Sequence, residues 1–156
     1  MIKDTFEEYV KIIGQLRAPD GCPWDRRQTH ESLKSCLINE TAEVMGAIDV
    51  LSETGYSENL CEELGDLLLL VVLQSRIAEE EGLFTIEDVI RSSSEKMLRR
   101  HPHVFGTEKG QALPDWEAIK EKERERVPGT IQKAKERALF KAREDIRTHL
   151  KHPETE

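Results

Sequence analysis

The chain holds little sulfur and few aromatic rings. Its three cysteines, Cys22, Cys36 and Cys61, are odd in number and include no CxxC pair. That argues against a disulfide framework and against a zinc knuckle, and a reducing, cytoplasmic setting is the expectation. Aromatic residues make up 5% of the chain, too few to suggest a β-rich core. Long apolar runs are also lacking. The longest, Leu67 to Leu73, falls far short of the roughly 20 residues that a helix needs to cross a bilayer, so no membrane partner is expected. The opening stretch MIKDTFEEYVKIIGQL contains no signal-peptide apolar block. Positive charge is in deficit, with 23 bases against 31 acids and a formal net charge of -8. Such a chain is a poor general binder of nucleic acid. A small phosphate ligand remains compatible if metal ions and a local basic patch screen the repulsion.

What is present is charge at helical spacing. At 156 residues, 35% of them charged, the chain is long enough to bury a core as one domain, or one domain plus an extension. Phe6, Val10, Ile13 and Leu16 predict a helix over 3–17. Arg17 to Pro23 then breaks into a loop that carries Trp24 and Asp25. Trp24 reads as a packing plug between helices, with base stacking as the alternative. A long helix is predicted from about Thr29 to Leu51, with Leu33, Leu37, Val44, Ala47 and Leu51 as its core stripe. After a turn at Gly55-Tyr56-Ser57, a second runs from Ser57 to Gly82, and its all-apolar segment Leu67–Leu73 predicts burial on every side. Further helices are predicted over 86–100, 116–126 and 131–150. Val104 through Pro114 reads as a loop, Asp115 as a cap and Val127-Pro128-Gly129 as a break. The fold class is all-α, a bundle of about four core helices with a C-terminal helical extension. The domain is placed at 1–126 and the charged extension at 127–156.

Two acidic pairs stand out, Glu40 with Glu43 and Glu63 with Asp66. Each is spaced i, i+3 and so shares a helix face. Neither pair lies on the far, polar side. Glu40 and Glu43 sit on the stripe of Cys36, Ala47 and Val50, and Glu63 and Asp66 on that of Asn59, Leu70, Leu73 and Ile77. A helical hairpin would bring four carboxylates together, which is costly unless something positive compensates them. An all-oxygen donor set suits a hard cation such as Mg²⁺. The bland alternative is ordinary acidic helix surface. Lys96, Arg99 and Arg100 fall at i, i+3, i+4 near the end of a helix. They serve either as helix-dipole partners or as a clamp on one anion.

The blocks Asn39-Glu40-Thr41-Ala42-Glu43 and Glu63-Leu64-Gly65-Asp66 resemble the EExxE…ExxD signature of the MazG-type nucleoside triphosphate pyrophosphohydrolases, members of the all-α NTP pyrophosphatase superfamily. Cys22-Pro23-Trp24-Asp25 with Gln28-Thr29, and Arg99-Arg100-His101-Pro102-His103-Val104-Phe105-Gly106, resemble further blocks of that family in the same order. The resemblance covers roughly residues 5 to 125. It implies hydrolysis of an NTP or dNTP to the monophosphate and pyrophosphate with Mg²⁺, Mn²⁺ being the alternative ion. It implies Glu40, Glu43, Glu63 and Asp66 as catalytic metal ligands. It further implies Lys96, Arg99, Arg100, Trp24 and Asp25 as substrate contacts, and a homodimer or higher homo-oligomer. One position departs: Asn39 stands where the signature has its first Glu, so a neutral carbonyl replaces a charge. Competing readings are a narrower enzyme of the same superfamily, acting on dUTP, dCTP or phosphoribosyl-ATP, and a non-catalytic helical interaction protein.

Overall fold

The structure is a computed structural model that describes residues 5–106 and 115–151. Among the described residues there are eight helices and no strand. They are α1 (Phe6–Leu16), α2 (Pro23–Arg27), α3 (Leu33–Thr54), α4 (Glu58–Glu80), α5 (Ile86–Arg100), α6 (Pro102–Phe105), α7 (Trp116–Glu125) and α8 (Gly129–Lys151). The chain divides into two compact units, Met1–Ile86 and Glu87–Glu156.

In the first unit α3 and α4 pack along each other, and α1 lies against α4. The turn between α3 and α4 is three residues long, which forces an antiparallel hairpin. Gly55 ends α3 in the left-handed conformation, φ 76°, that glycine adopts without strain. Its N–H donates to Leu51 O at 2.9 Å. At the far end of α4, Gly82 is also left-handed, φ 70°. Gly82 N donates to Glu79 O and Leu83 N to Ala78 O, the paired bonds of a Schellman stop. Ile13, Leu33, Ala47, Leu70, Val72, Leu73, Ile77 and Ala78 form the core.

Three local expectations need correction. The long helix starts at Leu33 and not at Thr29. Thr29 and Ser32 bond each other's backbone N–H through their hydroxyls, at 2.9 and 3.1 Å, which holds the segment in a turn. Trp24 is not in a loop and is not a plug. Pro23 starts a short helix there, its missing N–H costing nothing at the first position, and Trp24 is 49% exposed. The segment Leu67–Leu73 is not buried all round. Leu70, Val72 and Leu73 face the core, whereas Leu68 and Val71, with Leu64 a turn earlier, are exposed. Among the described residues of the first unit, α3 and α1 pack against α4 and leave these positions uncovered.

The second unit begins with α5. Pro102 ends it and opens α6, so Val104 and Phe105, expected in a loop, are helical. The remainder of that expected loop, residues 107–114, lies outside the described residues, as does the predicted first-helix start at residue 3. Asp115 caps α7 as expected, its carboxylate accepting from Glu117 N and Ala118 N. Beyond the break at Pro128, α8 begins at Gly129, two residues earlier than predicted. No helix among the described residues is long and apolar enough to cross a membrane.

Candidate metal and substrate site

The hairpin brings three of the four expected acids together. Glu40 and Glu43, one turn apart on α3, meet Glu63 of α4, and one oxygen from each lies within 4.8 Å of the other two. Glu40 is half-buried and Glu43 exposed. Glu63 is only 9% exposed, and Asn59 Nδ2 donates to its Oε1 at 2.7 Å, which orients the carboxylate. Asn59 lies four residues before Glu63, so the local helix itself supplies this support. Carboxylates held this close in a partly buried place repel one another, and a hard cation relieves that repulsion. The donor set therefore fits the implied divalent ion. Asn39, at the departing position, is half-buried on α3.

Asp66 stands apart from that trio. It is exposed on α4 and close enough to Tyr9 of α1 to act on it. Burial, and after it the Asp66 charge, pushes the Tyr9 phenol above its ordinary value.

Arg17, at the end of α1, ties together the segment that carries Trp24 and Asp25. Its side chain is 8% exposed. Nη1 donates to the backbone carbonyls of Asp25 and Gln28, at 2.5 and 3.1 Å. Nε and Nη2 grip Glu80 of α4, at 3.1 and 2.6 Å. The Arg17 hydrogen bonds, more than its charge, hold the Glu80 carboxyl below its ordinary value, and Arg76 adds to this. His30 adds a second tether for the α2–α3 turn: its Nδ1 bonds Gln74 Oε1 of α4.

The basic residues belong to the second unit. Arg99 and Arg100 of α5 converge on one carboxylate, Glu123 of α7. Hydrogen bonds from Arg100 and then Arg99 pull the Glu123 carboxyl down to about 2, and the Arg100 guanidinium is raised in return. Lys96 lies a turn earlier on α5, half-buried. Arg17 and Glu123 had no sequence signal. Their partners lie 63 and 24 residues away, beyond the reach of helical periodicity.

The model of the MazG nucleotide pyrophosphohydrolase domain matches residues 28–105. Among curated relatives, the nucleoside triphosphate pyrophosphohydrolase/pyrophosphatase MazG of Thermotoga maritima is 54% identical over 119 residues, 76% of this chain and 45% of that one. An uncharacterized protein, YabN of Bacillus subtilis, is 50% identical over 128 residues, 80% of this chain and 25% of that one. The nucleoside triphosphate pyrophosphohydrolase of Escherichia coli is 38% identical over 141 residues, 87% of this chain and 50% of that one. The chain thus spans half or less of the length of these relatives. With half of its residues under the domain model, acids of the expected signature gathered by one helical hairpin and an all-helical fold, the chain belongs to the MazG nucleotide pyrophosphohydrolase domain family.

Proposed function

We propose that the chain hydrolyses a nucleoside triphosphate, NTP or dNTP, to the monophosphate and pyrophosphate, with Mg²⁺ or Mn²⁺ as cofactor. The observation that carries this reading is the convergence of Glu40, Glu43 and Glu63 within 4.8 Å in a chain of this family. Relatives named nucleoside triphosphate pyrophosphohydrolases support it. Glu40, Glu43 and Glu63, with Asp66 on the same helix as Glu63, would hold the ion. A divalent cation there supplies charge neutralisation at phosphate oxygens. Glu40 or Glu43 takes the proton of the attacking water, and Glu43 is the more open of the two to solvent. Asn59 fixes the Glu63 carboxylate before substrate arrives. Lys96, Arg99 and Arg100 contact the phosphates, and the exposed ring of Trp24, beside Asp25, offers a face for the base. These residues all fall within 1–126, the catalytic domain in this reading, with 127–156 as a charged extension and the cytoplasm as the compartment.

The test is pyrophosphate release from the eight common NTPs and dNTPs and from dUTP, with Mg²⁺ and with EDTA. Release that requires Mg²⁺ is expected, and the ranking of bases separates a broad enzyme from one that prefers dUTP or dCTP. No release from any nucleotide would overturn the reading.

The same proposal includes a homodimer. Leu64, Leu68 and Val71 recur at i, i+4, i+7 and leave an apolar stripe on α4 exposed. A second copy that covers it would complete the burial predicted for this helix. Light scattering at micromolar concentration should give twice the chain mass, and a monomer there would contradict it.

A further inference from the structure

Arg99 and Arg100 are consecutive on α5. Neighbouring side chains on a helix leave the axis about 100° apart, and two guanidiniums repel. Left alone they would splay. Here they do not. Arg99 Nε and Nη2 donate to Glu123 Oε1 at 3.1 and 2.7 Å. Arg100 Nε donates to both Glu123 oxygens, at 3.3 and 3.2 Å, and its Nη2 to Oε2. One carboxylate thus takes the inner edge of both forks. Arg100 and Glu123 are partly sheltered, 20% and 18% exposed, and Arg99 is the more open, at 41%. Asp115 fixes the first turn of the helix that carries Glu123, so the carboxylate arrives from a capped helix of its own.

Two features separate this from a simple helix-to-helix ion pair. Among the described residues, one carboxylate meets two guanidiniums, which leaves a net positive charge. And among the described residues Nη1 of each arginine donates no hydrogen bond, the contacts to Glu123 running through Nε and Nη2. Two guanidiniums bound to one carboxylate, each with Nη1 still able to donate, offer the charge and the donors that a phosphate oxyanion takes up.

We propose that Glu123 is a positioning residue: it gathers Arg99 and Arg100 into one preorganised receptor for the polyphosphate chain of the substrate. This rests on the reading that these arginines contact phosphate, and deepens it. The carboxylate does not touch substrate. It removes the repulsion between the two cations and spares the ligand the entropy of collecting them. Because Glu123 is held at about 2, it stays ionised through the whole working pH range, so the receptor needs no proton to assemble.

The experiment is calorimetric titration of the full chain with inorganic tripolyphosphate in EDTA, where cation bridging is absent. Wild type, Glu123→Gln, Glu123→Asp, Arg99→Gln/Arg100→Gln and the triple variant are compared, with melting temperatures alongside. Glu123→Gln should weaken binding about tenfold, the scale of a lost charge-assisted contact, and Glu123→Asp should recover part of it. In the double-arginine background Glu123→Gln should add nothing, because Glu123 acts only through the two arginines. In steady-state pyrophosphate release the same variant should raise KM for the nucleotide more than it lowers kcat. Unchanged binding in Glu123→Gln, with only a lower melting temperature, would make Glu123 structural and overturn the proposal. Tighter binding would overturn it as well, since Glu123 would then be a competitor for the site. No binding to wild type would remove the receptor itself. The titration decides these outcomes whether or not nucleotides are hydrolysed, so the proposed activity and the role of Glu123 fail separately.

Discussion

Replacing Glu63 by Gln is expected to lower kcat for pyrophosphate release by at least ~10²-fold at saturating Mg²⁺, the scale of losing one strong electrostatic stabiliser at the reacting centre. Gln keeps the shape and still accepts the hydrogen bond from Asn59, which reaches Oε1 at 2.7 Å. What it removes is one of three charges within 4.8 Å. Mn²⁺ affinity, followed by titration calorimetry, should fall with it. Stability should move the other way. In EDTA the variant should melt no lower than wild type, because the substitution relieves repulsion among Glu40, Glu43 and residue 63. A variant that melts lower in EDTA while binding Mn²⁺ normally would make Glu63 a structural carboxylate and sink the assignment.

Replacing Arg17 by Leu is expected to destabilise the fold by about 2–3 kcal/mol, the scale of losing hydrogen bonds between charged partners at a sheltered site. Leu preserves the apolar stem. It leaves the carbonyls of Asp25 and Gln28 without their donor and Glu80 with Arg76 alone. Lys11→Ala is the control. Its ion pair with Glu8 is exposed and one turn long, and should be worth no more than about 0.5 kcal/mol. If thermal melting places Arg17→Leu within the range of that control, the tether is not holding the segment. Acid supplies a second signature. Glu80 is held below the ordinary carboxylate value, so its contribution is complete above that value and is lost as pH falls through the lowered one. The gap in stability between wild type and Arg17→Leu should therefore narrow as the solution is made more acidic.

The two variants probe different parts of the same unit. Glu63 sits where α3 and α4 converge, whereas Arg17 fixes the chain that delivers α2. Activity lost through Arg17→Leu, measured below its melting temperature, would then appear in substrate affinity more than in turnover. Glu63→Gln has the opposite pattern.

How far the sequence reaches follows from the range of the interactions involved. Helix existence, the hairpin, the cap at Asp115 and the stop at Gly82 depend on residues within a few positions of each other, and the chain alone determined them. The same holds for the spacing of the acids: a period of 3.6 residues puts Glu40 and Glu43 on one face of α3, and Glu63 on the stripe of Leu70, Leu73 and Ile77. Local competition already escaped this reading at Thr29–Ser32, where two hydroxyls hold a turn against a helical pattern. Only the tertiary structure decided which carboxylates meet. Asp66 shares a stripe with Glu63 yet is not among the three acids whose oxygens gather within 4.8 Å. Only tertiary structure showed that an arginine at the end of α1 reaches Glu80, that Arg99 and Arg100 share Glu123, and that Leu64, Leu68 and Val71 stay uncovered. These contacts join residues tens of positions apart. Periodicity says which face a residue occupies and carries no information on what another segment will bring to that face.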